Sequence, residues 1–136
     1  FPEGPPYPTR TVSDGIYRLI LNLTHEELFI EKHLMGLKGN AVLNNPYWAT
    51  WVRDSWTKPE IYKLVKRYQS RPKMSFYHSL IDPYEMNDLA GIKKYQTKIE
   101  ELKKELERWM KDQKDPGIQL DTMEAHQNAK AGNHLF

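Results

Sequence analysis

The chain has no cysteine, so disulfides, thiolate metal sites and a cysteine nucleophile are excluded within it. No apolar run approaches the roughly 20 residues that a membrane-crossing helix needs. Net charge is only +2, from 20 Lys and Arg against 18 Asp and Glu, too little to argue for a nucleic-acid partner. Chemistry-bearing motifs are also missing: there is no GxSxG elbow, no glycine-rich phosphate loop and no HExxH pair. The opening FPEGPPYPTR has neither the basic start nor the apolar block of a signal peptide. Beginning at Phe1 rather than methionine, it reads as a domain excised from a longer protein.

What is present is 136 residues, 39% hydrophobic and 28% charged, which suits one polar globular domain with a modest core. Charge is distributed unevenly. Arg53–Lys73 holds seven Lys or Arg against two acids. That surplus reads either as a solvated helix face or as a patch for an anionic partner.

Local patterning predicts an α+β fold: a small antiparallel sheet of about four strands, packed by a long C-terminal helix. Residues 1–9 carry four prolines and a glycine, an extended lead-in. Val12, the turn pair Asp14-Gly15 and the β-forming run Ile16–Leu21 then predict a hairpin. Thr24 and Glu27 have capping-box spacing and suggest a helical turn through Leu28 and Ile30, limited by Gly36 and Gly39. His25 and His33 lack the carboxylate neighbours that metal-ligand spacing would require. Asn22-Leu23-Thr24 matches the N-glycosylation acceptor. Asn45-Pro46 reads as cap and first turn of a helix bearing Trp48, Trp51 and Trp56. Thr57, Pro59 and Glu60 open a second helix that stops before Arg71-Pro72. Together these two form an aromatic helical hairpin inserted between strands. Its tryptophans suit core packing, or stacking on sugar rings.

Arg71–Ala90 punctuates the chain most sharply. An aromatic strand, Met74–Leu80, breaks at a corner formed by Asp82, Pro83 and Glu85. Asp82 suits an N-cap, Pro83 the first helical position and Glu85 a capping-box partner. Beyond it, Ile92, Tyr95, Ile99, Leu102, Leu106 and Trp109 recur in alternating threes and fours. The stripe either lies on the sheet or pairs as a short coiled coil. Asp115-Pro116-Gly117 ends the helix, and residues 117–136 read as an extended tail after a core of about 7–116. The expectation is a single domain, 1–136.

Two runs in this pattern carry a resemblance. Tyr7-Pro8-Thr9-Arg10-Thr11-Val12 and Tyr17-Arg18-Leu19-Ile20-Leu21-Asn22-Leu23 resemble the YPxRxV…YRLIxNL run of sulfamidases, the N-sulfoglucosamine sulfohydrolases of the sulfatase family. Tyr77, Asp82, Pro83, Glu85, Leu89 and Ala90 are similar to the LYDLxxDPxExxNLA signature near the C-terminus of many sulfatases. The similarity runs from about Tyr7 to Pro116. Ser75 and His78 depart from it, standing where acidic residues are usual, and Asp88 stands where asparagine is. The C/S-x-P-x-R source of formylglycine does not occur.

The resemblance implies the C-terminal subdomain of a sulfatase, inactive alone, with no catalytic or metal-binding residue of its own. Formylglycine and calcium would belong to a missing N-terminal catalytic domain, the implied partner. The substrate would be a sulfated saccharide of heparan type, in a secreted, periplasmic or lysosomal setting. The subdomain would wall the cleft. Arg10 is then the leading candidate for a substrate anion contact, since arginine grips sulfate or carboxylate bidentately; the alternative is a salt bridge to the missing domain. Tyr7, His25 and Trp48 are further substrate-contact candidates. A different reading is a stand-alone interaction module, binding glycan through Trp48, Trp51 and Trp56 or pairing through residues 92–110.

Overall fold

The computed structural model describes residues 5–35 and 46–132. Strands β1 (Thr9–Ser13), β2 (Tyr17–Asn22) and β3 (Met74–His78) form an antiparallel sheet in the order β1-β2-β3. The hairpin between β1 and β2 forms where Asp14-Gly15 predicts it. The Asp14 carboxylate accepts from the amides of Ile16 at 2.9 Å and Tyr17 at 2.7 Å. Gly15 turns the chain at φ +91°, a conformation costly for a residue with a Cβ.

Register decides which side chains meet. Arg10 pairs with Leu21, Val12 with Leu19, Leu19 with Phe76 and Leu21 with Met74. Directly paired residues share a face, so all six line one side of the sheet. Helix α4 (Gln96–Asp112) packs on β1 and β2 and buries Ile99, Leu102 and Leu106. Leu19, Phe76, Ile99 and Leu102 form the core of this unit, which comprises Tyr7–Thr24 and Pro72–Asp121. From Ile99 to Leu106 the stripe therefore faces its own sheet rather than a coiled-coil partner, while its two ends, Ile92 ahead of the helix and Trp109 in its last turn, remain exposed. Tyr17 stacks on Phe76 at 5.2 Å between ring centroids, and Tyr95 tilts against both.

A second unit is centred on His25–Arg71. It holds the short α1 (Lys32–Met35), then α2 (Pro46–Ser55) and α3 (Pro59–Gln69), the expected helical hairpin between β2 and β3 in sequence. Met35, Trp48 and Val65 form its core, with Val52, Ile61 and Tyr68 around them. Prolines open both longer helices, where a missing amide costs nothing.

Several local expectations are corrected. The described residues form three strands, not about four. The residues after Pro116 are not extended: a 3-10 turn spans Gly117–Asp121 and α5 spans Met123–Lys130. The Thr122 hydroxyl caps α5 by accepting from the Ala125 amide at 3.1 Å, a cap signal the weak apolar periodicity conceals. Thr24 and Glu27 open no helix. Turns follow β2 instead, and α1 starts later, where the Glu31 carboxylate accepts from the Leu34 amide. Lys58, not Thr57, takes the N-cap position of α3, without a side-chain cap. The Asn45 cap and Gly36 and Gly39 lie outside the described residues.

Candidate functional site

Arg10 sits on the helix-facing side of edge strand β1, and its guanidinium is taken up within the chain. It meets the Asp115 carboxylate as a fork, Nε to Oδ2 at 2.5 Å and Nη2 to Oδ1 at 2.9 Å. Nη1 donates to the Thr9 carbonyl at 3.1 Å and approaches Asp121 at 3.7 Å. Asp115 also accepts from the Gly117 amide at 2.8 Å. Both side chains are shielded, 15% and 9% exposed. The hydrogen bond from Arg10, with that from Gly117, holds the Asp115 carboxyl down at about 2. Asp115 in turn raises Arg10 above the ordinary guanidinium value, against the opposing effect of burial. Arginine in a bidentate pair has spent the fork that would otherwise hold a sulfate. The ion pair ties β1 to the turn after α4, across 105 residues of sequence.

The corner is built by Asp82, but not as a helix cap. Its two carboxylate oxygens accept from the amides of Met86 at 3.0 Å and Asn87 at 2.7 Å, clamping a loop. Glu85 takes φ +53°, which a right-handed helix cannot continue through. Helix formation waits for a 3-10 turn, Lys93–Tyr95, leading into α4 at Gln96. The capping-box spacing is thus present without the helix, because the carboxylate reaches amides two residues beyond the N2 and N3 positions of a capped helix. Pro83 lies in the turn. The Glu85 carboxylate reaches Arg18 on β2, Oε1 to Nη1 at 2.7 Å. Asp88 fastens the end of the loop, accepting from Phe76 at 3.1 Å and Ala90 at 2.9 Å.

The other candidates lie elsewhere. Tyr7 is half-buried ahead of β1, with its phenolic oxygen shielded from solvent. His25 belongs to the helical unit, in the turns after β2, its Nε2 3.7 Å from Glu26. Trp48 is 2% exposed at the centre of that unit's core, its ring 5.5 Å from Tyr68 and 6.4 Å from Trp51. Arg10 and Tyr7 thus fall in the sheet unit and His25 and Trp48 in the helical one. Trp51 and Trp56 are 48% and 79% exposed. The Asn22 sequon is closed off: its side-chain nitrogen donates to Pro72 and its oxygen accepts from Thr9, with the residue 3% exposed.

Among the described residues, no group of three or more His, Asp or Glu is placed to hold a metal, and no helix is long and apolar enough to cross a membrane. Asp115 and Asp121, which meet Arg10 in space, carry no sign of that pairing in the sequence, where Asp115-Pro116-Gly117 reads only as a helix stop. A cavity beside α3, lined by Leu28, Tyr62, Val65 and Lys66 among others, has no signal in the sequence either. No protein-family model matches the chain, and no curated protein matches it.

Proposed function

We propose that the chain is the C-terminal subdomain of a sulfatase-type hydrolase acting on a sulfated sugar, closest to the sulfamidases. It would wall the substrate cleft while formylglycine and calcium, supplied by an N-terminal catalytic domain, carry the sulfur chemistry. One observation carries the reading: the segments that bear the resemblance are the ones fastened to one another. Arg18, in the YRLILNL run, pairs with Glu85 of the DPxE corner. Arg10, in the YPTR run, pairs with Asp115 at the end of the similar stretch. Residues linked this way hold the fold in a set arrangement, which explains why a signature would consist of them though they perform no catalysis. Arg10 then acts by positioning β1 and the turn at Asp115.

On this reading the sulfur chemistry belongs to the N-terminal domain, and no step of sulfate transfer is assigned to the residues of this chain. The test is the encoding gene and its product. The reading expects a C/S-x-P-x-R segment upstream of the Phe1 codon and sulfate release from N-sulfoglucosamine by the complete protein. A gene without that segment, or sulfate hydrolysis by residues 1–136 alone, would overturn it.

A further inference from the structure

The helical unit has a cavity of about 330 Å³ beside α3 that the proposed function does not use. This volume is at the low end for small-molecule sites, which span roughly 300–1,000 Å³, so the occupant is the size of a single ring rather than an oligomer. Leu28, Tyr62 and Val65 supply an apolar wall, and the first two are 55% and 52% exposed. Such exposed area gains from a flat apolar face laid against it.

The polar side of the cavity has unspent hydrogen bonds. Among the described residues the Lys66 ammonium has no ion-pair partner, and none of those lining the cavity is an acid. The Gln69 side-chain amide is likewise without a partner among them. The Ser55 hydroxyl donates to the Val52 carbonyl at 2.6 Å, leaving its lone pairs to accept. Ser55 ends α2, and Lys66 and Gln69 lie in the last turn of α3. The helix-end carbonyls nearby are largely taken, that of Lys66 by the Ser70 amide and that of Gln69 by the Phe29 amide, so it is the side chains that offer a hydroxylated ligand its polar contacts. Lys63, also on exposed helix surface, adds positive charge on the same element.

We infer that this cavity binds a hydroxylated monoanion the size of one sugar acid. Its ring lies on Tyr62 and Leu28, its acid group meets Lys66, and its hydroxyls meet Gln69 and Ser55. The inference goes beyond the proposed function and needs no catalytic domain, so its failure leaves that reading standing.

The test is a titration of the 136-residue chain with glucuronate, followed by amide chemical shifts and calorimetry. Saturable shifts confined to Leu28, Tyr62, Lys66 and Gln69 are expected. Lys66→Gln, at an exposed position, should keep the spectrum and weaken binding at least about tenfold, the loss of a charge-assisted hydrogen bond. Glucose, lacking the acid, and hexanoate, lacking the hydroxyls, should each bind more weakly than glucuronate. Absence of saturable shifts, equal binding by Lys66→Gln, or hexanoate binding as well as glucuronate would each overturn the inference.

Discussion

Truncating Ile99 to alanine tests the central packing claim, that α4 is held by its own sheet. Ile99 is fully buried and contacts the cluster of Leu19, Phe76 and Leu102. The substitution removes three carbons, and at about 0.8 kcal/mol per methylene the lost transfer energy is roughly 2.4 kcal/mol. The cavity left between helix and sheet adds to this, within the range of about 2–5 kcal/mol for such truncations. Domains of this kind are stable by about 5–15 kcal/mol, so the loss is a large fraction of the whole. At about 2–8 °C per kcal/mol, the unfolding midpoint should fall by roughly 10 °C. Urea and thermal denaturation followed by circular dichroism measure both. Glu107→Ala, on the exposed side of the same helix, should change stability by under about 0.5 kcal/mol. If Ile99→Ala cost less than about 1 kcal/mol while wild-type stability rose with protein concentration, α4 would be held by another chain and the packing argument would fail.

Three further predictions follow from other parts of the chain. Asp115→Asn should destabilise the sheet unit at neutral pH and leave stability less dependent on acid. The folded carboxyl lies at about 2, below its unfolded value near 3.9, so its contribution is complete above that value and fades as pH falls through about 2; chemical denaturation at stepped pH measures this. Trp48→Ala should cost about 3–5 kcal/mol, whereas Trp56→Ala, 79% exposed, should cost under about 0.5 kcal/mol. Equal effects would contradict the assignment of Trp48 to the core. Gly15→Ala should cost about 1–2 kcal/mol from backbone strain alone, because a Cβ at this position meets nothing within 4 Å.

Much of the fold was legible from period and punctuation. Asp14-Gly15 marked the hairpin, Pro46 and Pro59 marked the starts of α2 and α3, and the alternating threes and fours of α4 marked its buried face. Errors clustered where one side chain can serve several amides. Asp82 with Pro83 and Glu85 has the spacing of a capped helix, yet the same carboxylate closes a loop around Met86 and Asn87. Spacing specifies a donor and an acceptor, while the path between them depends on backbone angles such as the positive φ of Glu85. The role of Arg10 was hidden for a different reason. Its partner Asp115 lies 105 residues away, and no local pattern links two residues so far apart.

The way β2 meets β3 bears on how the chain assembles. Asn22 and Lys73 are joined amide to carbonyl at 2.9 Å, and Phe29 to Gln69 in the same way at 2.8 Å. The intervening segment therefore leaves and returns at neighbouring points, in the manner of a guest sequence spliced into a host. Loop-closure entropy grows only as the logarithm of length, at about 0.6 kcal/mol per doubling. A long insertion here burdens the pairing of β2 with β3 little more than a short one would. A guest that folds before the strands pair shortens the effective loop further. A change in the length of that segment is accordingly expected to leave the pairing of β2 with β3 little changed.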